Sequence, residues 1–218
     1  MTAKETSPMT AADRRTARNR SNGSKLAAMK RRLLAAYGQA TADDLAQGLA
    51  WYGRAADAAR AMLPAEPRRA AGVIAALSPR AQWAVNLRWA AEIIDAAERG
   101  ESEPPSVHTR AMRGQAWRIA NGADPLDVLN GPKVRAFFAN ITGDLDAVTV
   151  DVWATLAAEG PNVRRAKYIP GKGAPIIAPS GGRYALIARA YRETAAIVGI
   201  PPRDLQAAIW VNIRGRAN

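Results

Sequence analysis

An all-α fold, built as one helical domain, is what this chain predicts, and three observations carry the prediction. Apolar residues recur at three- and four-residue spacing through most of its 218 positions. Glycine and proline punctuate that pattern at helix-sized intervals, and neither an alternating strand pattern nor an internal repeat interrupts it. Hydrophobic residues make up 48% of the chain, enough Ala, Leu, Ile and Trp for a single sizeable core.

The elements follow in order. Residues 1–24 are polar and carry Arg14, Arg15, Arg18 and Arg20, which reads as a disordered basic arm ahead of a helical domain over 25–218. Leu26, Met29, Leu33 and Tyr37 share one helical face. Thr41 to Asp44 then form a capping signal for a helix that uses Leu45, Leu49 and Tyr52. Pro64 and Pro67 separate it from a helix over 68–77 that buries Val73, Ile74 and Leu77. Past Ser78-Pro79 a longer helix runs through Trp83, Leu87, Ala90 and Ile94, until Gly100 and Pro104-Pro105 end it. The next spans 109–120 with Met112, Ala116 and Ile119 inward.

Leu126, Val128 and Leu129 close an apolar patch, Gly131-Pro132 breaks the helix, and Val134, Phe137, Phe138 and Ile141 resume the helical spacing. That is a helix, a tight hairpin and a second helix. Residues 160–183 hold a run of Gly and Pro with Lys167, Lys172 and Arg183, read as an irregular basic loop with a short extended piece over 174–178. Such a loop suits clamping a strand or gating a pocket. Tyr184, Ile187, Ala188, Tyr191, Ala195 and Val198 mark another helix, and Leu205, Ile209 and Ile213 the last.

Charge points to a polyanionic partner. Lys and Arg number 31 against 19 Asp and Glu, a net charge of +12. Arginine far outnumbers lysine, which suits forked phosphate contacts and is also what a GC-rich, Ala-rich coding sequence yields. No apolar run approaches the roughly 20 residues that cross a bilayer, and no signal-peptide core opens the chain, so a soluble, intracellular, cytoplasmic protein is expected. The single histidine, His108, and the lack of cysteine leave no multi-histidine or thiolate metal site, and neither metal nor cofactor is expected. His108 itself reads as a capping or surface residue. Gly171-Lys172-Gly173 lacks the spacing of a nucleotide phosphate loop.

Two places carry candidate chemistry. At the hairpin, Gly131 permits a left-handed backbone and Pro132 opens a helix whose free N–H groups suit one phosphate, with Lys133 and Arg135 beside them. Taken alone, the same turn is an ordinary helix connection. Further on, Asp151 interrupts the apolar run of Val148, Val150, Val152, Trp153 and Leu156. A carboxylate there must be paired, hydrogen-bonded or functional: it or Thr149 caps the following helix, or it deprotonates a nucleophile or offsets developing positive charge. Upstream, Ser78 and Asn86 lie eight residues apart, about two helical turns, and can face one pocket. Ser78 otherwise caps the following helix, and Asn86 reads as an exposed amide set among Val85 and Leu87 for a specific hydrogen bond. Gln82, Trp83 and Trp89 suit base recognition or core packing, and Gln206 and Trp210 can pack back toward the same pocket. Arg80 and Lys172 complete the candidate backbone contacts.

Leu129-x-Gly131 with a basic helix start, then Gly143 and Val148-x-Val150-Asp151, resembles the helix-hairpin-helix and catalytic-aspartate signature of the DNA glycosylase superfamily, the endonuclease III-like fold. The stretch Ala75-Ala76-Leu77-Ser78-Pro79-Arg80-Ala81-Gln82-Trp83 through Leu87 is similar to the helix and polar turn that open its substrate pocket. Closest is a phage-associated branch, the alpha-glutamyl/putrescinyl thymidine pyrophosphorylase-like proteins, whose Leu-Ser-Pro turn, Gly-x-Lys hairpin and Val-Thr-Val-Asp element all have counterparts here. The resemblance covers about residues 72 to 156, with weaker support around Gln206 to Trp210. It departs in two respects. Arg135 stands where lyase members carry their Schiff-base lysine, and arginine is no amine nucleophile, although Lys133 lies close by. Without cysteine, the iron-sulfur cluster of some members cannot form.

The resemblance implies a base-modifying enzyme acting on duplex DNA with a flipped pyrimidine. It further implies transfer of a small amine or amino acid onto an activated hypermodified thymine, in a phage or its bacterial host. Catalytic roles fall to Asp151, Lys133, Asn86 and Ser78, backbone contacts to Gly131, Pro132, Lys133, Arg135, Arg80 and Lys172, and the pocket to Gln82, Trp83, Gln206 and Trp210. A repair glycosylase that hydrolyses a base–sugar bond, or a non-catalytic hairpin module that only binds DNA, would use the same residues.

Overall fold

A computed structural model describes residues 11–160, 179 and 181–214, with side chains from position 19 onward save position 20. Among the described residues the structure is helical, without strands. The helices are α1 (Ala11–Gly38), α2 (Ala42–Leu49), α3 (Trp51–Met62), α4 (Pro67–Leu77), α5 (Trp83–Glu98) and α6 (Arg110–Ala120). There follow α7 (Pro125–Val128), α8 (Pro132–Ile141), α9 (Val152–Glu159), α10 (Gly181–Val198) and α11 (Pro202–Arg214). None of these is long and apolar enough to cross a membrane.

Most boundaries sit where the sequence places them, and the exceptions have local causes. Thr41 caps α2 in a full capping box with Asp44. The helix expected to continue from Leu45 to Tyr52 is instead broken at Ala50, whose helical dihedrals serve as the last cap of α2 and the first of α3. The break turns Tyr52 inward and leaves Leu49 45% exposed. At the other end, α1 reaches back to Ala11, so 11–24 lie in a helix rather than in the expected arm. Residues 1–10, Lys172 and the extended piece over 174–178 fall outside the described residues.

Two apolar clusters organise the molecule. The first joins α3, α4, α5, α6 and α8, and residues 70–77 of α4 are all buried at its centre. Ile74 and Leu77 are fully covered there, contributing about 2 kcal/mol each. The second joins the α1 face of Leu26, Met29 and Leu33 to α9, α10 and α11, so the chain's described ends build one lobe and its middle the other. Helix α11 belongs to both: Leu205 and Ile209 enter the second cluster, Ala207 the first. Gly48 of α2 lies against it so closely that a β-carbon would fall on the Ala208 backbone.

Between the lobes runs the segment 147–150, and side chains fasten it. The Tyr184 hydroxyl of α10 donates to the Val148 carbonyl at 2.7 Å and accepts the Val150 N–H at 3.2 Å. Buried Asn140 of α8, with its amide oxygen toward Thr149 and its nitrogen donating to the Asp144 and Ala147 carbonyls, holds the other edge. These bonds fix where the next residue, Asp151, must point.

Gly48→Ala is expected to lower stability by about 1–3 kcal/mol, because backbone must shift to admit the methyl. Gly53→Ala, in α3 with open space around it, is expected to raise stability by about 1 kcal/mol. Thermal melts of the two variants provide the comparison.

Candidate functional site

The seam between the lobes opens into a cavity of about 370 Å³. The α4–α5 turn supplies Ser78, Arg80, Gln82, Trp83 and Asn86; α8 supplies Lys133 from its first turn; Asp151 stands at the start of α9; α11 adds Gln206 and Trp210. The residues singled out in the sequence around the Ser-Pro turn, the hairpin and the carboxylate therefore share one space, although up to 132 positions separate Ser78 from Trp210 in the chain.

Asp151 takes the capping role weighed for it and is hydrogen-bonded by a tryptophan as well. Its Oδ1 accepts the Ala154 N–H at 2.7 Å as the N-cap of α9, and its Oδ2 accepts the indole N–H of Trp210 at 3.2 Å. Burial holds its carboxyl above the usual range, against the opposing pull of the Ala154 N–H and of the Lys133 charge. The Lys133 ammonium is pulled below its usual range by burial, partly offset by Asp151. Among the described residues it makes no hydrogen bond and no ion pair. A carboxyl and an amine thus face one cavity, each shifted toward neutral pH, the condition under which acid–base catalysis is most effective.

The polar turn is built differently from its sequence reading. Ser78 caps the end of α4 rather than the start of α5, whose N-cap is Gln82. Its N–H closes early onto the Ala75 carbonyl at 3.2 Å, which leaves the Ile74 carbonyl free of the helix. Asn86 donates its amide N–H to that carbonyl at 3.1 Å and is buried, at 2% exposure, not exposed as expected. Neither the Asn86 Oδ1 nor the Ser78 Oγ, both buried, has a partner. Arg80 holds a left-handed φ of 62° at the rim. His108 supports the turn from outside: its Nε2 donates to the Pro79 carbonyl at 2.7 Å, its Nδ1 accepts the Thr109 N–H, and its ring lies on Trp89. Trp89 is therefore a support and not a cavity wall.

The hairpin is shorter than its reading. Gly131 takes the left-handed φ of 85°, and α8 begins at Pro132, but the preceding helix α7 is a single turn of four residues. Arg135 folds back, donating to the Leu129 and Leu126 carbonyls at 2.8 Å each, and so caps α7. Gly131, Pro132 and Arg135 lie outside the cavity lining, on the surface beside Lys133.

Several lining residues were not foreseen. Trp51 stands between Trp83 and Trp210, with ring centroids 5.2 and 5.1 Å away, and Trp153 lines the cavity too. The Tyr52 hydroxyl is hydrogen-bonded to the Gln206 side-chain amide at 2.8 Å and lies 3.2 Å from the Asn140 amide oxygen, and burial pushes its pKa up. Arg214 lies 4.8 Å over the Trp210 ring at the mouth. Only the adjacent aromatics Trp51-Tyr52 signalled this wall in the sequence, and nothing linear ties them to Trp83 or Trp210. Among the described residues, no cluster of three or more His, Cys, Asp or Glu is placed to hold a metal ion.

Comparison with protein families matches residues 15–217 to a family described as of unknown function, DUF7178. The chain belongs to DUF7178. Neither a curated protein nor a solved structure gives a match. The match spans both lobes of this DUF7178 chain, and with them every described wall of the cavity.

A carboxyl whose folded pKa exceeds its unfolded value costs stability once it ionises, a cost absent below about pH 4 and complete above the folded pKa. Wild type should therefore lose stability relative to Asp151→Asn as pH rises from about 4 to 8, measured by denaturant unfolding. The opposite trend would show that the carboxylate is stabilised by its partners beyond its cost of burial.

Proposed function

We propose that this protein is a base-modifying DNA enzyme that draws one flipped pyrimidine into the cavity between the Ser78–Asn86 turn and Asp151. The observation that carries the reading is that Asp151 and Lys133 both line one tryptophan-walled space. The cavity volume lies near the lower end of the roughly 300–1,000 Å³ of small-molecule sites. It has room for one nucleotide and none for a duplex, so a base must leave its stack to reach the carboxylate. Aromatic walls stack on any base, and the cations Arg80 and Arg214 suit the backbone around it.

The chemistry that fits the pair best is amine transfer onto an activated thymine. The amine nitrogen bonds to the carbon attached at ring position 5 while that carbon's bond to a pyrophosphate oxygen breaks. Pyrophosphate leaves with the bonding electrons, steadied by the Lys133 ammonium, and Asp151 takes the proton lost by the amine. An Asp151 carboxyl raised by burial serves as a base closer to neutral pH than an exposed aspartate would.

Incubation with duplexes carrying normal, damaged, hydroxymethylated or pyrophosphorylated pyrimidines, plus amino acids and polyamines, tests the reading by mass spectrometry of digested nucleosides and free bases. A heavier nucleoside is the expected product, and free base would establish glycosidic cleavage instead. Asp151→Asn should lower turnover by about 10²–10⁴-fold while DNA affinity changes little. DNA binding without turnover on any substrate would sink the enzymatic claim, and an affinity insensitive to salt would remove the backbone contacts.

A further inference from the structure

The longest of the described helices, α1, has two unlike halves. From Leu26 onward it is clamped to the second lobe: Leu26, Met29 and Leu33 enter the cluster, Lys30 pairs with Glu193 at 2.7 Å, and the Ala36 carbonyl takes the Asn212 amide at 2.7 Å. Ahead of Leu26 the character changes. Positions 11–25 carry no Leu, Ile, Val, Met or aromatic residue, and the side chains described there, at 19 and 21–25, are all exposed. The helix nonetheless runs unbroken back to Ala11, about 22 Å of rod at the α-helical rise. Ser21, Asn22, Gly23 and Ser24 are weak helix formers in succession, and Gly23 has open space where a β-carbon would stand. Charge in this half is sorted by register. At the α-helical repeat, Arg14, Arg15, Arg18, Asn19, Asn22 and Lys25 fall within one sector of about 140°, whereas Asp13, the one acid of the stretch, falls across the axis with Arg20.

We infer that the first half of α1 is a docking element that lies in the major groove of duplex DNA, with the Arg sector toward phosphates and Asn19 and Asn22 toward base edges. Charge complementarity asks for a polyanion, and the residue pattern chooses among polyanions. A membrane surface takes a helix that has an apolar face to bury, and a groove on a protein takes one with apolar anchors at helical spacing. Positions 11–25 offer neither. The major groove of A-form RNA is closed to side chains, whereas that of B-DNA, about 12 Å wide, admits a helix and pairs amide side chains with adenine. Arginine, always charged and forked, suits the phosphates on either wall. The inference rests on the proposed function for duplex DNA as partner and not for the chemistry of the cavity.

Fluorescence anisotropy with the full chain and a labelled duplex, titrated over a series of salt concentrations, tests it. Arg14→Gln, Arg15→Gln and Arg18→Gln combined should weaken binding about tenfold or more at low salt and flatten the slope of log affinity against log salt by about 2 to 3, the loss of three phosphate contacts. Gly23→Pro keeps every charge and breaks the helix outside the core, so it should melt with wild type and yet bind about tenfold more weakly. Gly23→Ala, outside the Arg sector, strengthens the helix and should bind a few-fold more tightly. A triple variant that binds duplex as wild type does would overturn the inference and leave the proposed enzyme standing. Wild-type affinity in Gly23→Pro would show a charged tail in place of a groove-bound helix and overturn it too. Tighter binding of double-stranded RNA, or of phosphatidylserine vesicles, than of duplex DNA would overturn the choice of partner. Binding that depends on α1 in this way, without turnover on any substrate, would uphold the docking helix while the enzyme reading fails.

Discussion

The Asp151 carboxylate is bonded to two helices at once, and the seam of the molecule is arranged around it. One oxygen closes the N-terminus of α9, and the other takes the Trp210 indole of α11. Hydrogen bonds to a charged acceptor contribute about 1.5–3 kcal/mol each, whereas removing a carboxylate from water costs several. Those bonds alone leave the charge poorly supported. The difference is met by packing in the two clusters, which hold α9 and α11 in place whether or not the carboxyl is ionised. Tyr184, bonded to the Val148 carbonyl and the Val150 N–H, and Asn140, bonded across to Thr149, bring rigidity to the segment just before the site. A site held this way keeps its geometry when its proton comes and goes.

Legibility differed between element and site for physical reasons. Helices such as α5, α6 and α10 show in the sequence because burial on one face imposes a three- and four-residue rhythm. Helix ends show because Thr41, Pro67 and Gly131 have few other roles. The break at Ala50 has no such signal: alanine continues a helix as readily as it ends one, and only the packing of Tyr52 against Gln206 decides. Similarly, Asn86 looks exposed in the sequence because an amide usually is. Its burial depends on a carbonyl released four residues before Ser78, which no spacing rule reports. The carboxylate could be singled out because charge within an apolar run is costly, and the hairpin lysine because it flanks a fresh helix start. Trp51 could not, since an indole at helical spacing is usually core.

Positive charge has a comparable split. The net charge of +12 is a property of the whole chain, yet many arginines are committed inside it. Arg69 pairs with Glu66 and Glu98, Arg113 with Glu103, Arg183 with Glu159, and Arg135 spends its guanidinium on the end of α7. These partly covered pairs neutralise charge locally and leave the field of the protein weaker at those places. Arg80, Lys133 and Arg214 at the cavity belong to a smaller group, not joined to an acid by an ion pair among the described residues. Position, more than total charge, is what would guide an anion to the seam.

The three indoles of Trp83, Trp51 and Trp210 lie in succession with centroids just over 5 Å apart, and Trp153 joins them at the cavity. Four of the six tryptophans in the chain therefore share one small, polar-edged space, while Trp89 and Trp117 pack against the first cluster away from it. At such separations neighbouring rings exchange excitation, so a ligand entering the cavity would meet four coupled indoles at once and its arrival would register in their ultraviolet emission, with Trp89 and Trp117 set apart from it.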